Sequence, residues 1–355
     1  MHSIFKQWWW KIVGLIFLTI IIIGGLYLPL NPGIINTTPD TVTIGEQVEL
    51  KIQTYNATFS KDDNHVQAYI KSKKHILQAD TAFVIDANQV AAIFTIPYEI
   101  DSISLTNTSF DIIVLDEEHG TLTQRNAIQV QNTNIEALDM KSVSSAVAPT
   151  VLKAKKFGFP NREILQESIR NLFFHVPMWF GMVFLLFFSF ISSIRYLGKN
   201  ESKFDVYAAA AAEGGLLFGT LGIITGMCWA KFTWGAPWPN DPKLNGAAIA
   251  MLIYIAYAIL RKSISDPIRK AKVSAVYNIF AFFIYLAFVF IYPRLTDSLH
   301  PGNGGNPAFS NADLDNRLRM FFYPAVMGWS ILGFWLVSLK IRYKFAHQKL
   351  IEIES

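Results

Sequence analysis

Six separated apolar blocks, at 8–28, 176–197, 206–228, 245–261, 274–293 and 321–340, constrain this chain most. Each is close to the roughly 20 residues that carry a helix across a bilayer. A soluble domain spreads its apolar residues along every helix and strand, whereas here the 52% hydrophobic content gathers in these blocks. The sequence predicts an α-helical integral membrane bundle of six transmembrane helices.

Basic residues between the blocks set the orientation. Lys6, Lys11, Arg195, Lys199, Lys203, Arg261, Lys262, Arg269, Lys270, Lys272, Lys340, Arg342, Lys344 and Lys349 flank one set of ends. The opposite short segments hold only Lys231, Lys243, Arg294, Arg317 and Arg319. Both termini are therefore expected in the cytoplasm, with residues 34–175 periplasmic and the protein multi-pass in the inner membrane. The net charge of +4 comes from these flanking residues and gives no support for nucleic-acid binding. The apolar run from Ile12 to Leu28 is long for a signal peptide, and Pro29, Asn31 and Pro32 follow it in place of an A-x-A site. It reads as an uncleaved anchor, residues 1–33. Cys228 is the only cysteine, which excludes an intrachain disulfide and a Cys-x-x-Cys-His haem attachment. It reads as a small buried residue at a helix end.

Residues 34–132 have a different character. Val48, Leu50 and Ile52 alternate with polar residues, and Phe110, Ile112 and Val114 repeat the spacing. Period two marks half-buried strands. Further candidates lie at 41–45, 66–71, 81–86, 90–97 and 126–131, separated by turn residues such as Asp86-Ala87-Asn88. This pattern predicts an extracytoplasmic all-β, antiparallel sandwich-like insert. His65, His75 and His119 within it read as solvated surface residues, without the paired spacing of a metal site. Residues 133–175 are expected to be linker and interfacial helix. Asn161 suits a helix cap, and Ile164, Leu165, Ile169, Leu172 and Phe173 form an apolar stripe. The remaining 176–345 forms a five-span domain, and 346–355 a cytoplasmic tail.

Chemistry concentrates in the loop expected over 229–243. Trp229, Trp234 and Trp238 lie within ten residues, three of nine in the chain. Pro237 and Pro239 flank Trp238 and prevent either neighbouring helix from running through. Clustered indoles beside a membrane serve either as an interfacial belt or as a shelf for a flat hydrophobic ligand. His175, in Phe173-Phe-His-Val-Pro-Met-Trp179, and His300, in Leu299-His-Pro-Gly302, fall at the same membrane face. Neutral imidazoles are axial ligands for haem iron, so two of them beside the indoles suit non-covalent haem b. Haem propionates favour Arg or Lys. Lys231, Arg294, Arg317 and Arg319 are the candidates on that face, with snorkelling as their other role. Asp241 either orients a histidine or a Trp N–H, or caps the helix beginning near Lys243. Glu213 is an intramembrane carboxylate and a functional candidate facing the bundle interior, though nearer the cytoplasmic end. Gly214, Gly215, Gly219 and Gly222 allow close helix approach.

These motifs, in this order, resemble the CcmC/CcsA family of Trp-rich, haem-handling cytochrome c maturation proteins, CcmC most of all. The resemblance covers roughly 160–345 and leaves the β insert outside. The family signature W-G-x-x-W-x-W-D matches at Trp234, Gly235, Trp238 and Asp241, with Asn240 in place of the last Trp. The resemblance implies that His175 and His300 are the axial ligands and that Trp229, Trp234, Trp238 and Asp241 contact haem. It also implies partners: the haem chaperone CcmE, the ABC components CcmA and CcmB, and CcmD. The expected role is haem presentation, without catalysis of its own. The alternatives are a haem lyase acting on apocytochrome c, or a membrane b-type cytochrome. The latter ordinarily carries its histidines inside the spans. No P-loop, Gly-x-Ser-x-Gly or His-Glu-x-x-His motif supports a hydrolase.

Overall fold

The computed structural model describes residues 2–60, 65–72, 76–96, 108–131, 150–153, 155–161, 165–300 and 314–354. The chain divides into two compact units, Met1–Tyr27 with Ser168–Ser355, and Leu28–Glu167.

The first unit is a helical bundle: α1 (His2–Tyr27), α2 (His175–Lys199), α3 (Ser202–Trp234), α4 (Pro242–Ser263), α5 (Pro267–Leu286) and α6 (Asn316–Glu354). Among the described residues, six helical segments are long and apolar enough to cross a membrane. Local chemistry sets their ends. Asp241 and Asp266 cap α4 and α5, each followed by a proline in the first turn, where no N–H is required. Asn200 takes the left-handed conformation that closes α2, at φ 58°.

Helix α3 runs further than its apolar block suggests, because nothing in 229–234 breaks a helix. Gly235, at φ 80°, is the first residue able to end it. Trp229 and Trp234 therefore sit on its last two turns, and the true loop is 235–241. Helix α5 continues through a π turn, Ala287–Ile291, and a 3-10 turn, Tyr292–Arg294. The stripe expected as a surface helix is an eight-residue 3-10 segment, Gln166–Phe173, which buries Ile169 and Phe173. Only Phe174 separates it from α2, which leaves no room for a longer helix. Ile164 and His75 lie outside the described residues.

Small side chains let α2 and α3 meet closely. Ala208 to Ala212 are all buried. A Cβ on Gly215 would stand 2.5 Å from Leu186, and one on Gly214 2.6 Å from Val337 of α6. Met182, Leu185, Leu186, Phe218, Tyr254 and Tyr285 fill the interior. Glu213 is neutralised by Lys340 and by Lys344, the latter at 2.7 Å, so it braces α3 against α6. Arg261 grips Asp205 in a two-pronged bond of 2.6 and 2.5 Å between α4 and α3. Lys11 is buried with its ammonium 4.1 Å from the Trp8 ring and 5.4 Å from that of Trp335, which ties α1 to α6. Cys228 is exposed rather than buried, because it falls on the outward face of α3.

The second unit is a sandwich with nine strands among the described residues: β1 (Gly33–Thr38), β2 (Thr41–Thr43), β3 (Gln47–Tyr55), β4 (Gln67–Lys71), β5 (Ile76–Gln78), β6 (Thr81–Asp86), β7 (Gln89–Thr95), β8 (Thr108–Asp116) and β9 (Gly120–Gln131). One sheet is ordered β1-β3-β7-β6 and the other β2-β9-β8-β4-β5. All pairings are antiparallel except β2 with β9. Leu50, Ile52, Val90 and Phe94 of one sheet share a core with Ile70, Ile112, Val114 and Ile128 of the other. β1 escapes the alternation rule because its burial follows a bulge between Ile34 and Asn36. Residues 150–161 fold back onto this unit. Leu152 pairs with Thr121 through two hydrogen bonds, and Asn31 N–H donates to the Phe159 carbonyl at 2.6 Å.

His65 is exposed, but His119 is not a surface residue. It is 6% exposed, with Nδ1 2.6 Å from the Asp116 carboxylate. The Thr58 backbone N–H donates to its Nε2 at 3.1 Å. The β8–β9 turn folds the ring inward against Phe59, which the sequence spacing does not reveal.

Candidate functional site

The helices of the bundle alternate in direction. His175, the Trp segment, the start of α4, Arg294 and the start of α6 therefore share one end of the bundle.

His175 opens α2 and is buried against α3. Its Nδ1 lies 3.0 Å from the Gly222 carbonyl and 3.3 Å from the Thr225 hydroxyl. A carbonyl only accepts, so Nδ1 carries the proton and Nε2 keeps its lone pair. Gly226 makes the seat for the ring: a Cβ there would come within 2.6 Å of Cε1. Trp229 and Trp179 border the imidazole edge-on, with centroids 5.8 and 6.3 Å away.

His300 arrives on the segment after α5. Its Nδ1 is 3.2 Å from Oδ1 of Asp241, which again leaves Nε2 as the bare nitrogen. Trp234 packs edge-on against it at 4.8 Å. Burial pulls the His300 ring below its usual titration range, and the Asp241 hydrogen bond only partly offsets this, so the ring is neutral at pH 7.

Asp241 fills both roles foreseen for it. It caps α4 by accepting from the N–H of Lys243 at 2.9 Å and of Leu244 at 3.3 Å. It also accepts from Leu299 N–H at 2.7 Å and holds His300. Burial favours the protonated acid, yet the hydrogen bonds from His300, Leu299 and Ser298 outweigh it and hold the carboxyl well below the usual range. Asp241 is 1% exposed, and these donors occupy its oxygens.

Trp238 is partly exposed, and its indole N–H reaches Asn245 Oδ1 at 3.3 Å. Asn245 in turn donates to Asn240 at 3.0 Å. The residue standing where a third indole was expected thus ties the loop to α4. Among the basic candidates, Lys231 donates to the Gly235 carbonyl at 3.0 Å and closes the end of α3. Arg294 is exposed at the end of the 3-10 turn, and Arg317 and Arg319 are half-buried in the first turn of α6. Sequence reading passed over Lys243. Its position directly after a Pro at the start of α4, within the cap made by Asp241, was the available signal. Among the described residues no group of three His, Cys, Asp or Glu is placed to hold a free metal ion.

The family model for haem exporter protein C matches residues 125–353. The chain belongs to the haem exporter protein C family. The match begins within β9, earlier than the motifs alone suggested. A haem exporter protein C of Bradyrhizobium diazoefficiens is 32% identical over 109 residues, covering 31% of this chain and 41% of the relative. The Rhodobacter capsulatus haem exporter protein C is 24% identical over 225 residues, 60% of this chain and 88% of the relative. A CcmC-like mitochondrial protein of Marchantia polymorpha, putatively assigned to cytochrome c biosynthesis, is 31% identical over 90 residues, 25% of this chain and 39% of the relative. Together with the six apolar helices, this membership makes the chain a multi-pass membrane protein.

Proposed function

We propose that this chain carries haem b for cytochrome c maturation, held without a covalent bond between His175 and His300 and handed to a haem chaperone. The carrying observation is that the two imidazoles reach the same end of the bundle from separate segments, each with Nδ1–H engaged and Nε2 without a hydrogen-bond partner. That is the tautomer an iron ligand needs. The buried indole N–H of Trp229 has no partner either, which fits a site completed by a ligand. Haem supplies an iron that takes two axial nitrogens. The protein orients those nitrogens and walls the ring with Trp229, Trp234 and Trp238, while Asp241 acts by positioning His300. The residues bind and release haem in this reading, an assembly role; the alternative is a lyase, which would also capture apocytochrome c. In this reading the site faces the periplasm from the inner membrane, the termini are cytoplasmic, the β unit is extracytoplasmic, and the partners are CcmE, CcmA, CcmB and CcmD.

The test is an absorption spectrum of the detergent-purified chain, with and without the co-expressed chaperone. A low-spin, six-coordinate spectrum that fades as the chaperone becomes loaded is the expected result. A high-spin spectrum, or haem that stays put, would count against it.

A further inference from the structure

On α3, at this end of the bundle, Trp229 Nε1 and Thr233 Oγ1 are buried with no partner. They are four residues apart on α3, so they lie on one face a turn from each other. The orphaned hydroxyl stands out locally. Thr220 and Thr225, on the same helix, each donate to the carbonyl four residues back, at 2.9 and 2.8 Å. Thr233 does not do so. A buried donor without an acceptor forfeits its hydrogen bond to water and gains none in return, so a pair of them on one face points to an acceptor that binds there.

The surroundings narrow the choice of acceptor. Trp229 stands beside His175, 5.8 Å between ring centroids, so whatever the donors hold lies close to that imidazole. Lys243, in the first turn of α4 directly after the Asp241 cap, brings a cation to this same end of the bundle. Two neutral donors and one cation form a carboxylate receptor. The outward candidates serve this poorly: Lys231 is occupied by the Gly235 carbonyl and Arg294 is exposed.

We propose that Trp229 Nε1–H and Thr233 Oγ1–H, with Lys243, bind a carboxylate side arm of the cargo. This rests on the haem reading above, in which that arm is a propionate. Recognition of the cargo's acid groups then falls to the helix that walls the ring.

The test uses the full chain in detergent, ferric haem and haem dimethyl ester, with transfer to apomyoglobin timing release. Wild-type protein is expected to release the ester about ten-fold or more faster than the diacid. Trp229→Phe keeps an aromatic ring but removes the N–H, and Thr233→Val removes the hydroxyl at similar volume. Each should speed release of the diacid several-fold more than release of the ester, and Thr233→Val should leave ester release and the low-spin spectrum unchanged. Lys243→Gln should act in the same direction. Equal loss of both ligands would mean a merely structural role, and an undiminished preference for the diacid would mean water fills the space; either result overturns the proposal. A wild-type chain that shows no low-spin spectrum with either ligand would instead defeat the haem reading on which the proposal stands.

Discussion

Asp241 caps α4 and, with the same carboxylate, reaches across to hold His300, 3.2 Å from its Nδ1. A helix end and a distant loop residue therefore depend on one side chain. The two duties can be separated. Asp241→Asn keeps a good capping residue but loses the charge on the imidazole, so the melting temperature should change little while haem leaves about ten-fold faster. Asp241→Ala should lose both, including about 1 kcal/mol of capping. Thermal melts read beside release kinetics distinguish the cases. Equal behaviour of the two variants would refute the division.

The two proposed ligands should differ in how they fail. Replacing His175 or His300 with Gly opens one coordination position, and added imidazole should restore the low-spin spectrum. Trp234→Ala or Trp238→Ala should lower haem content in a way imidazole does not repair, because the lost contact is with the ring. His65→Ala is the silent control, being exposed. A His300→Gly chain with unchanged spectrum and haem content would exclude that residue as a ligand.

Acid should loosen the loop before it unfolds the bundle. Both His300 and Asp241 titrate below their ordinary values in the folded chain, so the unfolded state binds more protons in acid. The His300 contribution is present in full above about pH 6.5, the ring's unfolded value, and declines below it. The Asp241 contribution persists above about pH 3.9 and is lost only as the pH falls further. Melting temperature in the haem-free chain should be flat from pH 8 to 7 and fall below pH 6.5. His300→Gln should remove the upper part of that slope. A slope of opposite sign would contradict the neutral assignment.

The β unit should fold when expressed alone, provided it includes the segment that returns to it. A fragment of residues 28–167 keeps the Thr121–Leu152 and Asn31–Phe159 hydrogen bonds. It should give a β-type circular dichroism spectrum, melt cooperatively and bind no haem. A fragment of 34–132 should melt lower. His119→Ala should lower the melt of the longer fragment too, since it leaves the buried Asp116 carboxylate and the Thr58 N–H without that partner. A disordered longer fragment would refute the domain reading.

The proposed orientation is open to labelling in intact cells. Cys228 is exposed and must first become Ser. A cysteine at Ala236 should then react with a membrane-impermeant maleimide, and one at Asn200 should not. The reverse pattern would invert the topology.

Legibility in the sequence followed the physics of each element. Spans were plain because twenty apolar residues in a row have few other uses, and the start of α4 came within a few residues at Asp241 and Pro242, whereas α5 starts at Pro267, ahead of the apolar block at 274, because its first turns are basic. The end of α3 was misplaced because hydropathy falls at Trp229 while helical geometry persists to Gly235. The alternating strands were visible, but β5, only three residues long, carries no period to detect. His119 was misjudged since burial of a turn residue depends on what folds over it. At the site, residue types announced His175, His300 and the indoles. The Trp229–Thr233 pair could not be seen, because a missing partner is a property of three dimensions.

The contact between α2 and α3 also settles which part of this end can give. His175 rests on Gly226 and Trp179 on Gly222, a pair of rings four residues apart against a pair of glycines four residues apart. Sliding one helix by a turn would set an indole where only an imidazole fits, so the helices lock in a single register. His300, by contrast, hangs from a loop by one carboxylate. If iron is held between them, one jaw of the clamp is fixed and the other is hinged. In this reading release begins on the loop side, and the side-arm contacts at Trp229 and Thr233 remain to be broken after it.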